Sequence, residues 1–174
     1  KVTLLGNEAQ RLKKEPTKNI EAYRLYVLGR FLWNKRTGAD IKKAIDYFNQ
    51  ALALDPAYAE AQAGLASCYV ILPEYAGVSF KETSPKAHSA ATKALELDPE
   101  LGEAHAVLAS LKGSVYDWTS AEKEYRLSMQ LSPNYATAHH WLSGQLRSLG
   151  RFEESMGEIR RAGELDPLSL VIRI

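Results

Sequence analysis

Cysteine is almost absent. Cys68 is the only one in 174 residues, so no internal disulfide can form and no oxidising compartment is implied. No stretch approaches the roughly 18 consecutive apolar residues that a bilayer span needs. Neither sign of charge dominates: 22 Lys+Arg stand against 21 Asp+Glu, a formal charge of +1. That balance removes any overall electrostatic reason to bind nucleic acid or an anionic membrane. There is no Gly-rich phosphate loop, no HExxH and no CxxC pair. No segment alternates apolar and polar residues between hairpin turns, so strands are not expected. The chain opens at Lys1 without a signal-peptide pattern and reads as part of a longer protein.

What is present is a globular balance, 45% apolar and 25% charged, over a length that suits one or two domains. Residues 1 to 18 carry Lys1, Arg11, Lys13, Lys14 and Lys18 against Glu8 and Glu15. They read as a basic linker or short leading helix ending at Pro16 and Asn19.

Beyond that boundary the chain repeats. Pro56, Pro99, Pro133 and Pro167 each close an apolar run (ALALDP, ALELDP, SMQLSP, AGELDP), at spacings of 43, 34 and 34 residues. A period near 34 is that of a helix-turn-helix repeat. With each proline numbered 32, position 8 holds Gly29, Ala66, Ala109 and Ser143, and position 20 holds Ala44, Ala87, Ala121 and Ser155. Position 27 holds Ala51, Ala94, Ser128 and Ala162. Small residues there fit points where helix axes cross closely, since a bulky side chain would force the axes apart. Leucines at positions 7 (Leu28, Leu65, Leu108, Leu142) and 30 (Leu54, Leu97, Leu131, Leu165) are expected to fill the space alongside.

Local signals place two helices in each unit. Asn19 caps a first helix to about Asn34, Asp40 precedes the second, Ser84-Pro85 opens the second helix of unit two, and Thr119 with Glu122 fits a capping box. Gly150 separates the last pair. Pro73 to Glu82 is an insertion that lengthens the turn of unit two; Tyr75 and Phe80 in it either tuck back or meet a partner.

The reactive residue types read as structural. His105 and His139 share position 4 and read as packing residues; His139 and His140 lie about 100° apart on a helix and cannot share a metal. Cys68 reads as a buried small residue. Glu122/Glu124 and Glu153-Glu154 lie among Lys and Arg as salt-bridging helix faces. No catalytic set, metal site or cofactor is expected. Tyr23, Tyr26, Arg30 and Trp33 form one helical stripe, suited either to packing on a neighbouring helix or to an interface.

These residues resemble the tetratricopeptide repeat. Its pattern of Leu-Gly, then Ala, aromatic, Ala and Pro is met by Leu28-Gly29, Ala44, Phe48, Ala51 and Pro56, and more loosely by Leu108-Ala109, Ala121, Tyr125, Ser128 and Pro133. The resemblance implies an all-α superhelix over 19–174: repeats at 19–56, 57–99, 100–133 and 134–167, then a truncated helix at 168–174. Leu168, Leu170, Val171, Ile172 and Ile174 would leave an apolar end that packs on the fourth unit or on a second copy. Strings such as EAYRLYVLGRFLWNKRT and KAIDYFNQALALDPAYAEAQAGLASCY resemble the C-terminal repeat region of bacterial multidomain signalling proteins. Those proteins carry winged-helix, nucleotide cyclase or Ser/Thr kinase domains, which implies a cytoplasmic regulatory module.

In such stacks the first helices line a concave groove. The corresponding residues are Tyr23, Tyr26, Arg30, Trp33 and Asn34; Glu60 and Ser67; Glu103 and Ser110; His140 and Arg147. A protein or peptide is the natural guest, with a homodimer through the C-terminal edge as the alternative and nucleic acid disfavoured by charge. The family's carboxylate clamp for chaperone tails is not met: its places hold Tyr26, Arg30, Gly64, Glu103 and Val107.

Overall fold

The computed structural model describes residues 16–172; residues 1–15 of the basic segment and 173–174 of the closing run lie outside the described residues. Among the described residues the chain forms eight α-helices and no strand. They are α1 (Ile20–Asn34), α2 (Gly38–Leu54), α3 (Ala59–Ala76), α4 (Phe80–Leu97), α5 (Gly102–Ser114), α6 (Trp118–Leu131), α7 (Ala136–Ser148) and α8 (Phe152–Leu165). They pack as the pairs α1/α2, α3/α4, α5/α6 and α7/α8, and each pair joins the next through α2/α3, α4/α5 and α6/α7. The first helices also touch one another, α1 on α3, α3 on α5 and α5 on α7, whereas the second helices do not. A stack in contact along one row and splayed along the other must curve, with α1, α3, α5 and α7 on the inside.

The expected crossing residues hold the stack together. All twelve small residues at positions 8, 20 and 27 are buried. At the centre of the first crossing lies the Phe48 ring, fully buried. A Cβ added to Gly29 of α1 would stand 2.8 Å from that ring, and one added to Gly64 of α3 would stand 2.6 Å from it. The aromatic edge is therefore clamped between two helix backbones, which only glycine allows. The position-30 leucines are less buried than expected: Leu54 is 46% exposed. They sit in the last turn before each proline, where the second helix runs out past its neighbour.

Several helix starts differ from the expected ones. Asn19 does cap α1, its Oδ1 accepting the Ala22 N–H at 3.0 Å. The cap of α2 is Thr37, whose hydroxyl accepts the Asp40 N–H at 3.1 Å and donates to the Asp40 carboxylate at 2.7 Å. Asp40 is thus the third residue of a capping box rather than the cap. The cap of α6 is Asp117, not Thr119. The insertion lengthens the helices rather than the turn: α3 runs through Pro73 to Ala76, α4 begins at Phe80, and Pro85 lies inside it. Burial of Thr83 against the stack extends α4 by the extra turn. Residues 168–172 form a turn and bends instead of the expected helix. The apolar run lies against the groove, where Leu168, Leu170, Val171 and Ile172 line a cavity.

Units three and four are also stapled by charge. Glu122 of α6 bonds Arg151 at the start of α8 and Arg126 one turn along its own helix. The bonds from Arg151, then from Arg126, hold the Glu122 carboxyl below its ordinary value against the opposing effect of burial.

Two outcomes follow. Gly64→Ala gains helix propensity of about 1 kcal/mol, yet it is expected to lower stability by about 1–3 kcal/mol through collision with Phe48. Phe48→Leu in the same chain should remove part of that penalty, read as non-additivity in urea unfolding. Because the Glu122 pKa is depressed in the folded state, its contribution is present above the unfolded value of 4.5 and is lost as pH falls through the folded value. Glu122→Gln should therefore flatten the acid limb of a pH–Tm profile below about pH 5 and lower Tm at pH 7.

Candidate functional site

The inside of the curve brings together side chains far apart in sequence. Arg30 of α1 reaches across two repeats to pair with Glu103 of α5. Ser67 of α3, between them, donates its hydroxyl to the same carboxylate oxygen at 3.0 Å. Glu103 is 8% exposed. Burial works against the Arg30 charge, but the neighbouring Glu103 carboxylate outweighs it and holds the guanidinium above its ordinary value. Arg30 is therefore not the free end-of-groove cation that its position suggests; its charge is already answered from within the fold.

The aromatic stripe divides. Tyr26 packs its ring on Phe48 (5.8 Å between centroids) and Tyr58 (5.1 Å), and burial pushes its phenol up to about 12. Tyr23 is half exposed and lines neither of the two hollows of the groove. Trp33 is 2% exposed, and its indole Nε1 is buried with no hydrogen-bond partner. Arg36, in the turn after α1, stacks over the Trp33 ring with its guanidinium carbon 3.5 Å from the centroid; Arg30 lies 5.0 Å from it.

Arg36 and His140 stand where two hollows meet. One, of about 540 Å³, is lined by Arg30, Trp33, Asn34, Tyr135, Thr137, Asp166 and the 168–172 segment. The other, of about 360 Å³, is lined by Val70, Glu74, Tyr75, Ser110, Trp141, Gly144 and Arg147. Both include Arg36, His140 and Val171. Burial, then Arg36 and Arg147, holds the His140 imidazole below its ordinary value, and its Nδ1 is buried without a partner. Glu60 is half-buried on α3 and lines neither hollow.

Of the residues expected from the sequence, the groove gathers Arg30, Ser67 and Glu103 into one linked set. It gathers Trp33, Asn34, Ser110, His140 and Arg147 around the two hollows. Arg36 and Tyr135 were missed. Arg36 stands in the turn after α1, beyond the helical positions expected to face the groove.

His105 and His139 prove to be more than packing residues. Each directs Nδ1 to a glutamate nineteen residues on, Glu124 at 2.8 Å and Glu158 at 2.6 Å, tying the two helices of its unit together. Cys68 is fully buried, and burial pushes its thiol well above the ordinary value.

No family model matches the chain. Among curated proteins it is similar to the transcriptional regulator HilA of Salmonella typhimurium and of Salmonella typhi, 23% identical in each case over 149 residues. Those residues are 86% of this chain and 27% of HilA, so the chain spans about a quarter of that relative. Among solved structures it is similar to TTC0263, a thermophilic TPR protein of Thermus thermophilus. The TM-score is 0.68 at 21% identity, over 95% of this chain and 82% of that one. The first TPR of Spaghetti (RPAP3), bound there to the HSP90 peptide SRMEEVD, aligns with TM-score 0.56 and 20% identity over 75% and 96% of the two chains. MamA aligns with TM-score 0.52 and 19% identity over 91% and 84%. The fold is that of the tetratricopeptide repeat.

The Arg30–Glu103 pair makes a stability test. Glu103→Gln leaves the partly buried guanidinium without its carboxylate and should cost about 3 kcal/mol. The double change Arg30→Met with Glu103→Met should cost less, because neither charge is then stranded. Urea unfolding of the three proteins measures the difference.

Proposed function

We propose that this tetratricopeptide-fold chain is a non-catalytic module that holds another polypeptide in its concave groove. It would serve as the regulatory part of a larger cytoplasmic signalling or transcription-regulating protein of bacteria. One observation carries the reading. Side chains from α1, α3, α5 and α7 line two adjoining hollows that run along the inside of the stack, long enough for several residues of an extended chain. The groups that border them (a stacked arginine, buried aromatics, a histidine, small residues) suit anchoring and hydrogen bonding. The likeness to HilA supports the link to transcriptional regulation, and the peptide held by the RPAP3 repeat supports a polypeptide guest.

A second reading, self-association, is favoured by the C-terminal edge. Phe152 is 64% exposed, Met156 44%, Leu168 88% and Leu170 60%. Light scattering over a concentration series distinguishes it: a mass that doubles, and returns to that of one chain on Phe152→Glu, would favour the edge.

The groove reading is tested by obstruction. A Cβ added at Gly144 meets nothing within 4 Å, and Gly144 lines the second hollow. Gly144→Phe should fill the trough while raising helix propensity. Peptides selected on the native protein from a phage-displayed random dodecapeptide library are expected to bind this variant at least about tenfold more weakly in fluorescence anisotropy, with Tm unchanged or higher. Equal binding would overturn the assignment.

A further inference from the structure

Resting on that reading, we propose that the junction of the two hollows is a subsite for an internal acidic side chain of the bound polypeptide, received by Arg36 with Arg147 and His140. The arginines divide sharply. Arg24, Arg30, Arg126, Arg151 and Arg161 each pair with a glutamate, and Arg160 is exposed on α8, away from both hollows. Arg36 and Arg147 line the groove with no carboxylate partner among the described residues, and both act on His140. These two cations stand beside one imidazole, and among the described residues neither is held in an ion pair.

Arg36 is also costly where it stands. Its backbone is left-handed, φ 55°, as are those of Tyr116 and Gly150 in the matching turns of units three and four. The turn needs that conformation, and unit four meets it with glycine, which adopts it without strain. Unit one places an arginine there instead and stacks it on Trp33. Burial, opposed by Tyr75 and Tyr135 and reinforced by Arg30, holds its guanidinium below the ordinary value. A partly buried cation with no counter-charge is unfavourable unless a ligand supplies one. Asp166 lines the first hollow and Glu74 the second, yet neither forms an ion pair with Arg36, so its charge is left for a ligand to meet.

The geometry chooses the kind of carboxylate. Arg36 and His140 border both hollows, so space continues on either side of them. A chain terminus needs a closed end; a site open in both directions passes a chain through and takes a side chain from its middle. The place also differs from the family's terminal-carboxylate clamp, whose positions here include Arg30, already paired, and Glu103.

The test uses the same dodecapeptide selection on the 174-residue protein, followed by anisotropy with synthetic peptides. Selected sequences should be enriched in internal Asp or Glu. The Glu→Gln version of the tightest peptide should bind at least about tenfold more weakly to the native protein. Arg36→Gly should lose the same factor for the Glu peptide and almost nothing for the Gln peptide. Because glycine relieves the left-handed turn, its Tm should not fall through backbone strain. Arg147→Met, exposed and remote from the core, reads the same coupling where Arg36→Gly folds poorly. Peptides blocked by Gly144→Phe but lacking acidic enrichment, or indifferent to both arginine changes, would overturn the subsite and leave the groove standing. So would binding that C-terminal amidation abolishes. Peptides indifferent to Gly144→Phe would overturn both.

Discussion

Close approach of helix backbones is the constraint on which the rest depends. Two helices can cross at short distance only where neither carries bulk, and this chain places Gly, Ala or Ser at each such point. Phe48 shows how narrow the tolerance is, with its ring held between Gly29 and Gly64 at distances that exclude a methyl group. Because the same crossing recurs in each unit, each pair meets the next in a similar way, and small rotations accumulate into a curve. The curve in turn puts the first helices within reach of one another.

That reach turns a row of separate helices into a surface with its own chemistry. Arg30, Ser67 and Glu103 come from three different units, and their linkage locks those units while removing one positive and one negative charge from the groove. What is left is uneven. Trp33 and Arg36 form a stacked platform at one wall, with His140 and Arg147 on the other. Arg36 lies where the two hollows join, with Arg147 in the second, and neither is in an ion pair among the described residues. A binding surface built this way needs no loop to close over it; the stack is its scaffold.

The polar ties on the outer side follow the same repeat logic. His105 with Glu124 and His139 with Glu158 occupy equivalent places, nineteen residues apart in each case. Glu122, between Arg126 and Arg151, joins consecutive units. Position 4 alone does not disclose this role. A histidine beside a predicted helix contact reads as packing until the facing residue of the second helix is known. The insertion in unit two misled in a related way: Pro73 and Pro85 are helix breakers by local rule, yet burial of Ile71 and Leu72 in α3, and of Thr83 and Ala87 in α4, accompanies both helices through them.

By itself the sequence determined the architecture, because prolines recurring at 43, 34 and 34 residues and small residues in register are local, periodic signals that stacked helix pairs satisfy. Helical spacing offered a set of candidate groove residues, of which Trp33, Asn34, Ser110, His140 and Arg147 line the two hollows while Tyr23 and Glu60 line neither. Which of those residues remain free was decided only by the tertiary structure. Arg30 and Arg36 are both basic residues near the end of α1, and nothing in their order along the chain separates them. The packing of α5 against the stack brings Glu103 to the first, while the second, in the turn after α1, is left stacked on Trp33 with no ion-pair partner among the described residues. Charge pairing across 73 residues depends on curvature, and curvature is the sum of many crossings rather than the property of any one segment.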